Sequence, residues 1–290
     1  MSVTSSRSAP WNAFVLATAA SLAVPVAAEA ANYYLQATMT GTFNSTNLWW
    51  SDPVEGGDHP TTMVGNDFYS NGYRVRTGNA SYTFGNATTT LHLDAQLLVR
   101  TSGTAAITIP NLLTSGTSAN IGAGAGGANL NLTNFVNDGD TYLNGDDSGS
   151  RALNVAIDTL SGTGHLELRQ SITLNLTINT ATDFTGEITW LAGSGATLNF
   201  NNPLISSGGL VASSSSRILL DEQVSFASVT LGETDLSPGV YDYNYLKTTF
   251  GDIFVDVDEL SQGSITVVPE PAGLALLGSG ALLMLRRRRD

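Results

Sequence analysis

The sequence contains no cysteine in its 290 residues. Disulfides, thiolate nucleophiles, iron–sulfur clusters and Cys-built zinc sites are therefore excluded together, and the fold must be held by its backbone ladder and core alone. Lysine occurs once, at Lys247, and histidine three times, at His59, His92 and His165. Charged residues amount to only 13%, with 12 Lys+Arg against 25 Asp+Glu. The formal charge of −13 leaves no electrostatic basis for tracking nucleic-acid phosphates, so nucleic acid is not a partner. Five of the 12 basic residues lie near the ends (Arg7, Arg286, Arg287, Arg288, Arg289), leaving 12 − 5 = 7 for everything between. With 42% hydrophobic residues and 30 Gly, the composition fits neither a charged disordered chain nor a polytopic membrane protein.

Catalytic signatures are also missing. There is no Gly-x-Ser-x-Gly elbow, no His-Glu-x-x-His helix and no phosphate-cradling Gly loop ending in Lys. No catalytic residue, metal ligand or cofactor is assigned, and the chain is read as a non-enzyme.

What is present begins with two terminal signals. Arg7 precedes an apolar run from Ala13 to Val24, and the small residues Ala28 and Ala30 follow, so residues 1–30 read as a secretory signal peptide cleaved after Ala30 or Ala28. At the other end stand Pro269, Glu270 and Pro271, an apolar stretch over 272–285, and Arg286, Arg287, Arg288 and Arg289. The prolines set the helix start, and Glu270 complements its N-terminal dipole. Fourteen residues (285 − 271) span ~21 Å against ~30 Å of hydrocarbon, a short transmembrane anchor that relies on snorkelling of the arginines. Both positive ends stay in the cytoplasm, which places the body outside the inner membrane.

These last 22 residues (290 − 268) resemble the sorting signal of the PEP-CTERM proteins of Gram-negative bacteria: a Pro-Glu-Pro motif, an apolar helix and an Arg-rich end, in that order. The resemblance implies processing by a membrane-embedded exosortase after export through the secretion translocon and cleavage by signal peptidase. It also implies a transient inner-membrane anchor, then a cell-surface or extracellular destination among exopolysaccharide or biofilm.

Between the signals, over 31–268, short runs alternate apolar residues with Asn and Thr, as in Thr90-Leu91-His92-Leu93 and Leu153-Asn154-Val155-Ala156-Ile157. Period 2 predicts strands buried on one face and an all-β body. Gly164-His165-Leu166-Glu167-Leu168 matches Gly186-Glu187-Ile188-Thr189-Trp190 at an offset of 22 (186 − 164), and Leu198-Asn199-Phe200 matches Ile218-Leu219-Leu220 at 20 (218 − 198). Offsets of one coil favour a right-handed parallel β-helix over the alternative, a β-sandwich. The segment from Thr159 to Leu168, followed by Phe184 to Ile188, is also similar to the autotransporter-associated β-strand repeat, which implies a β-helical passenger-like body. Aromatic-rich residues 31–84 and the Tyr-rich 240–268 are the expected end caps, and the Gly/Ala/Ser-rich 116–127 reads as a corner insertion or loop.

Four groups of residues invite a functional reading. Trp49 and Trp50, with Asp52, Asp58 and His59, form the best candidate for sugar contact, but both rings are expected instead to plug the first coil, with Trp50 as the ring to test. His92 and His165 read as outward strand positions. The acidic group Asp138, Asp140, Asp146 and Asp147 lacks EF-hand spacing and reads as a solvated turn. Asp256, Asp258 and Glu259 read as an exposed edge.

Overall fold

A computed structural model of the protein describes residues 30–101, 104–116, 118–124, 127–144, 152–169, 173–181, 183–191, 197–200, 202–255 and 262–268. Ala30 is the first of these and is exposed. Ala28, the rest of the leader, the sorting motif Pro269, Glu270 and Pro271, the stretch 272–285 and Arg286, Arg287, Arg288 and Arg289 lie outside them, as do Asp146, Asp147, Asp256, Asp258 and Glu259.

Alternation of apolar and polar residues turns every second side chain inward, and the pattern repeats one coil later on the adjacent strand. A β-solenoid results, and the sandwich alternative is set aside because neighbouring strands run parallel. The first sheet has 12 strands; its path climbs from Asn32–Tyr34 through Asp67–Tyr69, Thr90–Leu93, Ile107–Thr114, Ala128–Asn137, Ala152–Gly162, Thr173–Ile178, Thr197–Phe200 and Ile218–Leu220 to Phe254–Val255. The second sheet has 9 strands and includes Val75–Arg76, Gln96–Val99, Ala119–Ala123, Asp140–Asn144, His165–Arg169 and Glu187–Trp190. A third, of 4 strands, adds a side near the C-terminal end. Both expected offsets are strand registers: Leu166 pairs with Ile188, and Leu198 with Ile218.

Because register repeats, the core is a set of columns. Ile107, Leu130, Val155, Leu176, Leu198, Ile218 and Phe254 stack under the first sheet. Val75, Leu97, Ile121, Leu143, Leu168, Trp190 and Ala212 stack under the second, the large Trp190 lying beside the small Ala212. All of these are buried, and each large apolar side chain withdrawn from water contributes roughly 1.5–3 kcal/mol. On the outer face, Asn154 Nδ2 donates to Asn129 Oδ1 and Asn175 Nδ2 to Asn154 Oδ1, each at 2.8 Å, so amides tie three successive coils.

A column of glycines marks one corner: Gly116, Gly139, Gly164, Gly186 and Gly208. A Cβ on Gly164 would lie 2.2 Å from the carbonyl oxygen of Gly139, on Gly186 1.8 Å from that of Gly164, and on Gly208 1.9 Å from that of Gly186. Close approach of backbones, rather than left-handed geometry, demands glycine at these three corners.

Within the stretch 116–127, residues 119–123 are not an insertion. Ala119–Ala123 is a strand of the second sheet, with Ile121 pointing into the core and small alanines beside it. Low side-chain volume masked the alternation there. A second departure from the sequence reading is the helix Tyr243–Phe250. Asp242 caps it by accepting from Tyr245 N at 2.8 Å, and Leu246 is buried beneath it. Two turns are too short to show a helical period.

Both ends are closed. Residues 35–66 leave the first strand and return so that Trp50 pairs antiparallel with Tyr34, covering the open edge. Under this excursion Trp49 is fully buried, 4.9 Å from Phe68 by ring centroids, with its Nε1 donating to Phe43 O at 2.9 Å. Phe43 stacks on Phe84 at 4.5 Å. At the other end Gly239–Asp242 pairs antiparallel with Ser264–Val267, and the helix Tyr243–Phe250 precedes the last strand of the first sheet.

Trp49, not its half-buried neighbour Trp50, is thus the ring that plugs the first coil. Trp49→Ala should lower unfolding stability by ~3–5 kcal/mol, and Trp50→Ala by under ~1 kcal/mol. Denaturant titration checks both; equal losses would contradict this division of roles.

Candidate functional site

In-register strands bring outward side chains from different coils into rows. Tyr34 pairs with Tyr69, and Tyr69 with His92. With coils ~4.8 Å apart, rings in such positions meet face to face. Tyr34 stacks on Tyr69 with centroids 4.9 Å apart, and Tyr69 on His92 at 4.1 Å with planes 10° apart. Trp50 extends this aromatic face past Tyr34, its ring 3.9 Å from that of His59, whose Nδ1 lies 2.7 Å from Trp49 O.

Where this row meets the turn into the second sheet there is a cavity of about 130 Å³ lined by Tyr34, Tyr69, Asn71, His92, Asp94 and Ser115. Asp94 Oδ1 accepts from the Ser70 hydroxyl and, at 2.9 Å, from Gly72 N, which fixes the carboxylate. Asn71 has φ 51°, the single positive value outside glycine among the described residues. Its Nδ2 donates to Leu35 O at 3.0 Å and Pro53 O at 2.8 Å, tying the cavity wall to the N-terminal excursion.

Burial holds the His92 imidazole below its ordinary range, while Asp67, 4.0 Å away, pulls in the opposite direction. Burial is also the leading reason that the Tyr69 phenol is raised, with Asp67 and Tyr34 adding to it. The wall carries one carboxylate, that of Asp94, among neutral polar and aromatic groups.

A second grouping lies on the outer face of the second sheet. Asp140, His165 and Glu187 form one column, and Tyr142, Glu167 and Thr189 another. His165 Nε2 lies 2.7 Å from Thr189 Oγ1 and 3.8 Å from Glu187 Oε1, and its Nδ1 is 4.0 Å from Asp140 Oδ1. Arg169 donates from Nε to Glu167 Oε1 at 2.7 Å and lies 3.5 Å above the Tyr142 ring. The hydrogen bond to Glu167 raises the guanidinium further above its already high range. Thr189, His165 and Asp140 have the order of a nucleophile, base and orienting acid. However, the Thr189 hydroxyl donates to Glu187 Oε1 at 2.8 Å, and the Asp140–His165 separation exceeds a hydrogen bond.

Of the residues singled out in the sequence, Trp50, His59 and His92 belong to the aromatic face, while Trp49 lies beneath it. Asp138 accepts from Thr163 N at 3.2 Å, joining adjacent corners, and Asp140 faces His165. Tyr34, Tyr69, Asn71 and Asp94 were missed. The coil offset was the signal for part of this row, since 92 − 69 = 23, but Tyr34 is displaced by 69 − 34 = 35 because of the excursion.

Among the described residues no group of three or more His, Cys, Asp or Glu is suited to a metal ion, and no helix is long and apolar enough to cross a membrane. Comparison with known proteins gives no match to a protein-family model, to a curated protein or to a solved structure.

The His92 environment has a pH signature. A histidine held below its ordinary value is neutral in the fold while the unfolded chain takes up its proton first, so stability is present above ~6.5 and lost as pH falls below it. Urea titrations at ~pH 7.5 and ~pH 5 should show this loss, and His92→Gln should shrink it. An unchanged pH dependence in the variant would contradict the assignment.

Proposed function

We propose that the protein is a structural component of the bacterial cell surface or extracellular matrix, exported across the inner membrane, held briefly by its C-terminal anchor and released or transferred by exosortase. Its body, a right-handed coil by the general preference of parallel strand connections, would lie among exopolysaccharide. The secretion translocon and signal peptidase act at one end of the chain, and exosortase at Pro269, Glu270 and Pro271. The observation that carries this reading is the continuous hydrogen-bonded stacking of the body from Asn32–Tyr34 to Phe254–Val255, closed at both ends. Such a body is a stiff acidic scaffold whose outer polar groups, the Asn129–Asn154–Asn175 row among them, hold one coil to the next. The aromatic face around Trp50 is the polymer-contact surface in this reading.

A second reading, a carbohydrate-active β-helix enzyme, is favoured by the gathering of Asp140, Glu187, Glu167, His165 and Arg169 on one outer face of the second sheet. Depolymerisation of the host's polysaccharide by the purified protein, lost in His165→Ala, would select it.

The sorting step is tested by replacing Pro269, Glu270 and Pro271 together with alanine. Export should persist while the protein accumulates in the inner-membrane fraction, uncut. Equal recovery of variant and parent at the outer surface or in the medium would overturn the exosortase assignment.

A further inference from the structure

We propose that the cavity beside the Tyr34–Tyr69–His92 row binds one neutral hexopyranose unit of a glycan. The inference rests on the reading of the protein as a polysaccharide-associated scaffold and gives that association a site and a ligand class.

Size comes first. About 130 Å³ is room for a single ring, well below the ~300–1,000 Å³ of sites that enclose larger ligands. The chemistry of the wall comes next. The Asn71 amide nitrogen is engaged by Leu35 O and Pro53 O, which leaves the amide oxygen as an acceptor. Asp94 Oδ1 is engaged by Ser70 and Gly72, and among the described residues its second oxygen receives no hydrogen bond. Ser115 and the tyrosine hydroxyls both donate and accept. A wall with more acceptors than donors suits a ligand dense in hydroxyl donors. Carbon-rich ring edges of Tyr34, Tyr69 and His92 supply the apolar half that a sugar's C–H groups require.

Charge selects among sugars. Asp94 lines the cavity and Asp67 lies 4.0 Å from His92, while no Lys or Arg is among the lining residues. A uronate or sulfated unit would meet the Asp94 carboxylate, with Asp67 close behind His92, and no counter-charge, so the neutral class is preferred. The wall is also set before a ligand arrives. Asn71 is held in a left-handed backbone conformation by its two side-chain bonds, and the three rings are fixed by stacking on one another. Fixed walls reduce the ordering cost of binding.

The test is a calorimetric titration of the purified protein with cellotetraose, mannotetraose and tetragalacturonate. At least one neutral tetrasaccharide should bind with Kd on the order of 1 mM, and tetragalacturonate at least ~10-fold more weakly. Ser115→Tyr, which fills the cavity from an exposed position, should weaken neutral binding at least ~10-fold with Tm unchanged, and Tyr69→Phe should weaken it less. Absence of neutral binding up to ~10 mM, equal affinity for tetragalacturonate, or undiminished affinity in Ser115→Tyr would each overturn the proposal. Delivery to the matrix is judged separately by fractionation, and it stands or falls independently of these titrations.

Discussion

Everything in this body depends on how closely one coil lies on the next. Interstrand hydrogen bonds fix that distance at ~4.8 Å, and the corner glycines permit it: the carbonyl of Gly139 occupies the volume where a side chain on Gly164 would begin, and the same relation repeats at Gly186 and Gly208. At these corners the chain also hands its hydrogen bonds from coil to coil, as in His165 N to Gly139 O at 3.0 Å and Gly209 N to Gly186 O at 3.0 Å. With the corners fixed, the registers of both sheets follow, and with them the inner columns of Leu, Ile, Val and Phe and the outer rows of Asn and aromatic rings.

A stack of this kind has two vulnerable ends, since each would leave unpaired backbone groups. Among the described residues, two irregular segments lie at these ends. Residues 35–66 bury Trp49 and return Trp50 to the edge of Asn32–Tyr34, while the C-terminal side uses the helix Tyr243–Phe250 and an antiparallel strand. Closing the N-terminal end also creates the cavity wall, because Asn71 is tied to Leu35 and Pro53 of the same excursion. Protection of the fold and construction of the candidate site are thus one structural event.

Much of the stack was legible in the sequence. The pairs Leu166/Ile188 and Leu198/Ile218 follow from motif spacing alone, because parallel coils of similar length keep equivalent residues at similar separations, 22 and 20 residues here. Ala119–Ala123 escaped notice because alanine and glycine carry too little hydrophobic contrast to show alternation. The helix Tyr243–Phe250 escaped because a two-turn element capped by Asp242 leaves almost no periodic trace. The aromatic row was only half visible. Its members sit at unequal spacing, and their contact depends on a bridge between Tyr34 and Trp50 that no local pattern announces.

The corner constraint is the most exposed part of this account. Thermal unfolding of Gly186→Ala, set against Gly41→Ala, where the added carbon would meet nothing closer than 3.6 Å, measures it directly. The account predicts a loss of about 3 kcal/mol or more for the first and a change within about 0.5 kcal/mol for the second. Equal stability of the two variants would contradict the claim that the coil spacing leaves no room for a side chain at the glycine column.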